Sequence, residues 1–270
     1  MNAPLLQVEQ IEVVYKRVIT AVQGVTLAVP QGQIVALLGT NGAGKSTTLR
    51  AISGFLGLDD AVVTEGSITF DGAALQNRPP HEIAGRGVVL VPEREKVFPN
   101  LTVAENLAAP VARGTKARDR RPHEEHIYHF FPRLAELRDR TGGLLSGGER
   151  QMLAIASALM CRPKLLLIDE LSLGLAPVVV GDLVRRLCAI RDELGIAILL
   201  VEQSAAVALE IADYAYVMEN GRIVLDGDRQ RLKGHKDVQE FYLGKGSAED
   251  GARRSYRDIK QYRRSRRWYG

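Results

Sequence analysis

The sequence predicts an α/β protein with a parallel-sheet core, a β-rich N-terminal subdomain and an inserted helical subdomain. Three observations predict it. In the second half of the chain, short apolar runs of strand length alternate with helical stretches, the pattern of parallel strands buried on both faces. From Leu5 to Leu38 the pattern is β throughout, with alternating apolar residues broken by turn signals. Between Thr102 and Met160 the apolar residues recur at three and four, as at Phe130, Leu134 and Leu137, which is helical spacing.

Taken in order, Leu6 to Tyr15, Val22 to Val29 and Ile34 to Leu38 are predicted strands, with Pro30-Gln31-Gly32 marking a turn. A glycine-rich loop follows, and a helix is predicted to start at Lys45. Glu65 to Asp71 reads as a strand closed by Asp71-Gly72, and Val88 to Val91 as a short buried one. The helical subdomain is placed at about residues 96–160. Strands return at Leu165 to Ile168, Ile196 to Val201, Tyr214 to Met218 and Arg222 to Leu225, with helices between the first three. The expected organisation is one domain over 1–243 and a basic tail over 244–270.

Composition sets the class. With 270 residues, 46% hydrophobic and 25% charged, the chain can bury a substantial core, which excludes wholesale disorder and collagen-like or disulfide-framework proteins. No apolar run approaches the roughly 18–20 residues of a membrane span. Met1 to Gln10 holds no Lys or Arg and no apolar core, so a signal peptide is not expected. Cys161 and Cys188 lie in unrelated contexts and read as small core residues rather than a disulfide or metal pair. A cytoplasmic location is the expectation. The net charge of +4 is unevenly placed: Gly244 to Gly270 holds nine Lys or Arg against three acids, a net +6 that leaves −2 on residues 1–243.

Three motifs carry chemistry. Gly39-Thr40-Asn41-Gly42-Ala43-Gly44-Lys45-Ser46 fits G-x-x-x-x-G-K-[ST] between a strand and a helix. Its glycines let backbone N–H groups turn onto phosphates at a positive helix end. Lys45 is suited to the β/γ-phosphates and Ser46 to Mg²⁺, with Thr47 next to them. About 120 residues later, Leu165-Leu166-Leu167-Ile168-Asp169-Glu170 is a buried strand ending in two carboxylates. Asp169 is placed to hold Mg²⁺, and Glu170, turned to the other face, to polarise an attacking water. Third, Leu145-Ser146-Gly147-Gly148-Glu149-Arg150-Gln151 stands just before a helix, a second anion-binding N-terminus that suggests a composite site shared between subunits.

With these three in order, residues 5–243 resemble the ATP-binding-cassette ATPases. The resemblance implies a P-loop NTPase (RecA-like) core, an antiparallel N-terminal β subdomain and ATP with Mg²⁺ as ligands. It also implies a dimer in which Ser146, Gly147 and Gly148 of one cassette face the γ-phosphate held by the other. Tyr15 matches the aromatic that stacks on adenine, although a core tyrosine on the first strand would also suit the position. Glu170 matches the catalytic carboxylate.

Three departures resemble one branch of the family. Glu93 stands where a Gln usually reaches Mg²⁺, Gln203 where a switch His is usual, and Ala176 where a loop usually ends in Asp. With Pro92-Glu93, Phe98 to Val103 and Glu219 to Val224, they resemble the smaller ATPase subunit of branched-chain (hydrophobic) amino-acid uptake systems. Leu171 departs from the usual Pro and is read as tolerated. Such systems imply a second ATPase subunit, two integral-membrane permeases docking around Glu93 to Leu101, and indirectly a periplasmic solute-binding protein. The cassette would then sit peripherally on the inner face of the plasma membrane. Branched-chain amino acids, urea, amides and aromatic acids all stay open as solutes. The alternatives are an exporter ATPase, expected to carry Gln, Asp and His at positions 93, 176 and 203, and a soluble cassette acting on ribosomes or DNA.

Two features stand apart. His123, His126 and His129 recur every three residues, drift around a helix, and are one residue short of H-E-x-x-H; they are expected on a solvated helix face. The tail interleaves arginines with Tyr256, Tyr262, Trp268 and Tyr269. It suits a solvated tail, contact with anionic lipid beside a permease, or packing on a partner. Nucleic acid would suit the same composition but is not a partner the resemblance implies.

Overall fold

The computed structural model describes residues 4–94, 96–110, 117–235 and 238; the basic tail lies outside the described residues. Two sheets organise the chain. The first is antiparallel, in the order β2-β1-β4-β5, from β1 Leu6–Tyr15, β2 Ile19–Val29, β4 Ala61–Phe70 and β5 Ala73–Ala74. The second has six strands in the order β10-β9-β3-β8-β7-β6. Its members are β3 Ile34–Leu38, β6 Val88–Val91, β7 Leu165–Asp169, β8 Ala197–Glu202, β9 Tyr214–Glu219 and β10 Arg222–Asp228.

β6, β7, β8, β3 and β9 run parallel, while β10 returns antiparallel to β9, so the sheet is mixed rather than purely parallel. The reason is local. Asn220 and Gly221 both have positive φ (48° and 79°), the backbone of a two-residue hairpin turn, and such a turn can join only antiparallel strands.

Every residue of β3, β7 and β8 is buried, and their side chains alternate between two cores. Val35, Leu37, Leu165, Leu167, Leu199 and Val201 pack toward the antiparallel sheet and α1 (Lys45–Ser53). Ile34, Leu166, Ile168, Ile198 and Leu200 pack with the helical region and α7 (Pro177–Leu194). This period of two sets the site: Asp169 continues the face of Leu165 and Leu167, toward α1, and Glu202 continues the opposite face of Ile198 and Leu200.

The predicted helical stretch is four helices rather than one: α3 Val103–Ala108, α4 Ala117–Phe130, α5 Pro132–Glu136 and α6 Gly147–Met160. The sequence marks the breaks. Thr102 and Ser146 each cap a helix in a reciprocal capping box with the Glu three residues on, and Pro132 opens α5. Thr102 also bridges to Thr141. Three short helices complete the described set: α2 Pro80–Gly85, α8 Ala205–Ile211 and α9 Arg229–Gly234.

β4 begins at Ala61, ahead of the expected Glu65, because β1 recruits it: Tyr15 pairs with Ala61 and Val14 with Val62. The pairing slips register between Glu9 and Glu12, opposite Gly66. Gly66 has φ 81°, and a Cβ there would lie 2.3 Å from the Glu9 carbonyl oxygen. Gly66→Ala is therefore expected to cost about 2–3 kcal/mol of stability through backbone strain and overpacking. A thermal melt unchanged from the wild type would refute it.

Candidate nucleotide site

β3 hands the chain to Gly39–Gly44, and α1 opens at Lys45. Gly39 lies so close to β9 that a Cβ would be 2.5 Å from the Met218 carbonyl oxygen. Gly44 has φ 105° and passes beside Met218 and Ala21, while Gly221 N–H donates to the Ala43 carbonyl (2.9 Å). The β9–β10 turn thus clamps the loop from behind, leaving Thr40, Asn41 and Gly42 exposed. The free N–H groups at the start of α1 make this a ready anion site.

Lys45 is 5% exposed. Its Nζ donates to the carbonyls of Gly39 (2.9 Å) and Thr40 (3.1 Å) and stands 3.4 Å from Glu170 Oε1. Ser46 Oγ donates to Asp169 Oδ1 at 3.2 Å. Burial pushes the Asp169 carboxyl above its ordinary range. Glu170 and Glu93 push the same way, while the Ser46 hydroxyl and Lys45 pull it back. Glu170 is 6% exposed and sits in the left-handed region at φ 54°, its N–H donating to the Val201 carbonyl (3.0 Å).

Lys45, Ser46 and Glu170 line a cleft of about 480 Å³, formed by Asn41 to Thr47 with Glu93, Arg94, Glu170, Leu173 and Gln203; Asp169 stands behind it, on Ser46. Gln203 reaches across to donate to Asn41 Oδ1, tying the end of β8 to the glycine loop. Glu93 is half-buried after β6 and pairs with Arg94 (3.1 Å). Tyr15 is half-buried, packs against the first core, and places its hydroxyl 3.2 Å from Thr47 Oγ1.

Ser146, Gly147 and Gly148 stand elsewhere, outside the cleft lining, at the N-terminus of α6. Ser146 Oγ accepts the Glu149 N–H, and Glu149, tied to Arg133 (3.0 Å), accepts the Ser146 N–H (2.9 Å). That backbone bond is the main cause of a Glu149 carboxyl below its ordinary value. A Cβ on Gly148 would be 2.7 Å from Val179 Cγ1, so the glycine also lets α6 approach α7. Ala176 stands at the N-cap of α7 with no side-chain bond to offer, where an Asp would cap.

Two charged residues near the site escaped sequence reasoning. Lys96 Nζ donates to Gln151 Oε1, and burial pushes its ammonium below the ordinary value, with Glu93 and Asp169 opposing. Glu202 is wholly buried and accepts from Ser172. The available signal for it was a charged residue closing an apolar run beside Gln203. The cysteines and His123 depart from their expectations, while His129 is exposed as expected. His123 Nε2 contacts the Leu159 carbonyl (2.9 Å) and His126 Nε2 contacts Glu193 (2.5 Å), so two of the three tie α4 to α6 and α7. Cys161 and Cys188 are half-buried rather than core, and burial raises both thiols.

The chain matches the ABC transporter family over residues 22–172. It is 41% identical over 240 residues to the high-affinity branched-chain amino acid transport ATP-binding protein BraG of Pseudomonas aeruginosa, covering 89% of this chain and 100% of BraG. To the lipopolysaccharide export system ATP-binding protein LptB of Haemophilus influenzae it is 33% identical, covering 83% of this chain and 90% of LptB. Among solved structures, the ADP conformation of MJ1267, an ATP-binding cassette of an ABC transporter, superposes with TM-score 0.76 at 30% identity, covering 90% of this chain and 100% of that one. The chain belongs to the ABC transporter family, as one of the ATPases that bind ATP and energise transport.

Proposed function

We propose that this ATPase drives an importer of branched-chain amino acids or related small polar solutes, from the inner face of the plasma membrane. The observation that carries it is similarity over the whole length of BraG. Glu93, Ala176 and Gln203 add to it, standing where an exporter of the LptB type is expected to carry Gln, Asp and His. Among the described residues no helix is long and apolar enough to cross a membrane, and the reading calls for integral-membrane permeases. Two are expected, docking around Glu93 to Leu101, together with a sister ATPase and, indirectly, a periplasmic binding protein. The cassette is read as residues 1–243 with its helical subdomain at about 96–160.

ATP lies in the cleft with its phosphates on the N–H groups of the glycine loop and of the first turn of α1. Lys45 exchanges its contacts with Gly39, Thr40 and Glu170 for β/γ-phosphate oxygens. Mg²⁺ fits the donors present, because the Ser46 hydroxyl and the Asp169 and Glu93 carboxylates form an all-oxygen set. Bound there, the ion would neutralise phosphate charge. Glu170 accepts the proton of the water attacking the γ-phosphorus as the bond to ADP breaks. Gln203 donates to the γ-phosphate as a neutral amide, never as a cation. Tyr15 carries the adenine, a contact of about 1–3 kcal/mol. The exposed N-terminus of α6, with Ser146, Gly147 and Gly148, completes the site of a second cassette.

The test is purification of the tagged chain from detergent-solubilised membranes of its own host. Two permeases and a second cassette are the expected companions, and the binding protein encoded beside them gives the route to the solute. Recovery only from the soluble fraction, with ribosomal or nucleic-acid material, would overturn the importer reading, as would companions belonging to lipopolysaccharide export.

A further inference from the structure

Glu202 is fully buried at the end of β8 and is not among the residues lining the cleft. A carboxylate withdrawn from water is costly unless its oxygens are hydrogen-bonded. Here Ser172 donates twice, from its backbone N–H (2.8 Å) and its Oγ (2.9 Å). Burial raises the carboxyl above its ordinary value and the charge of Glu170 adds to the rise, while these donors pull it back.

The bonds fall where the backbone is strained. Glu170 holds φ 54°, a left-handed conformation that a non-glycine residue keeps only when its surroundings over-determine it. Two anchors bracket that turn. The Glu170 N–H is tied to the Val201 carbonyl (3.0 Å), and two residues later Ser172 is tied to Glu202. Leu171 between them is wholly buried. Consecutive residues of β8 thus grip the chain on both sides of the left-handed turn. On its other side Glu202 adjoins Gln203, which reaches Asn41 of the glycine loop, and Ser204, the cap of α8.

We propose that Glu202 is a positioning residue for hydrolysis: its carboxylate latches Ser172 to the end of β8 and so holds the Glu170 side chain over the phosphate loop. The latch rests on the reading of Glu170 as the group that accepts the water proton. Glutamine can reproduce most of it, since its amide oxygen accepts the Ser172 N–H and its NH₂ can donate to the Ser172 hydroxyl, which accepts as readily as it donates. Alanine leaves all the donors without a partner.

The experiment is single-turnover hydrolysis of ATP by the full-length chain, with nucleotide affinity measured separately by equilibrium binding. Glu202→Ala is expected to slow hydrolysis of bound ATP by about 10²-fold, the scale of an ångström-sized misplacement. ATP affinity should stay within about threefold, and Glu202→Gln should recover most of the rate. In the Glu170→Gln background, Glu202→Ala should add nothing, because the group it positions is already disabled. A wild-type rate in Glu202→Ala overturns the proposal, as does an affinity loss as large as the rate loss, or a full additional loss in the Glu170→Gln background. If Glu202→Ala does not fold, Ser172→Ala decides: it deletes one donor and keeps the N–H, so a several-fold slower rate at unchanged affinity supports the latch and a wild-type rate overturns it. Unimpaired hydrolysis in Glu170→Gln alone would remove Glu170 from the chemistry, and the latch with it. Impaired Glu170→Gln beside normal Glu202→Ala would sink only the latch.

Discussion

Glu170→Gln is expected to slow hydrolysis of bound ATP by about 10²–10⁴-fold, the usual contribution of a positioned general base. ATP binding should be kept, and the protein should accumulate as an ATP-bound dimer. The amide has nearly the shape of the carboxylate, and its oxygen can still accept from Lys45 Nζ, now 3.4 Å from Glu170 Oε1. What it cannot do is take a proton from water. Losing one negative charge beside the γ-phosphate also removes a repulsion, so affinity should hold or rise. Single-turnover kinetics, with size-exclusion chromatography in ATP and Mg²⁺, measure both effects. Turnover at the wild-type rate would take Glu170 out of the mechanism.

Lys45→Ala should act at the other step and weaken ATP binding by about 2–5 kcal/mol, the cost of truncating one partner of a buried charge pair. The side chain is stretched in advance: two carbonyls of its own loop and the Glu170 carboxylate hold the ammonium where phosphate oxygens would arrive. Without it, Glu170 faces incoming phosphates with its charge uncompensated, so repulsion adds to the lost attraction. Equilibrium titration with a fluorescent ATP analogue should show at least roughly 30-fold weaker binding. An unchanged Kd would mean that the glycine-loop N–H groups alone hold the phosphates.

The two variants separate binding from chemistry, and each depends on how much of the site was legible in the chain. The phosphate loop was legible because its function needs backbone geometry that few residues besides glycine supply, at a fixed spacing from a Lys and a Ser. Asp169 and Glu170 were legible because two acids close an apolar strand run about 120 residues after the phosphate loop, a pairing that carries the signal an isolated strand end would not. The capping boxes at Thr102 and Ser146 could also be read locally, since a cap and its Glu lie within one helical turn.

What depended on pairing over long separations could not be read this way. The antiparallel return of β10 follows from a turn signal, but its place at the sheet edge follows from packing, and the extension of β4 to Ala61 comes from its partner β1. The contacts of Lys96 with Gln151 and of Glu202 with Ser172 join residues 55 and 30 positions apart. No periodicity connects such residues, because a hydrogen bond between distant segments depends on the relative placement of the elements that carry them.

By itself, then, the sequence determined the chemistry: which residues can cradle phosphate, hold a hard cation and accept a proton. It also determined the alternation that buries β3, β7 and β8. The tertiary structure alone decided which strand faces put Asp169 toward α1 and Glu202 toward Ser172, and how the strained turn at Glu170 is held. It also decided that Ser146 to Gly148 lie apart from the cleft of their own chain. The physical reason is range. Backbone conformation and side-chain chemistry act within a few residues, whereas burial and shared hydrogen bonds are settled only when distant segments pack.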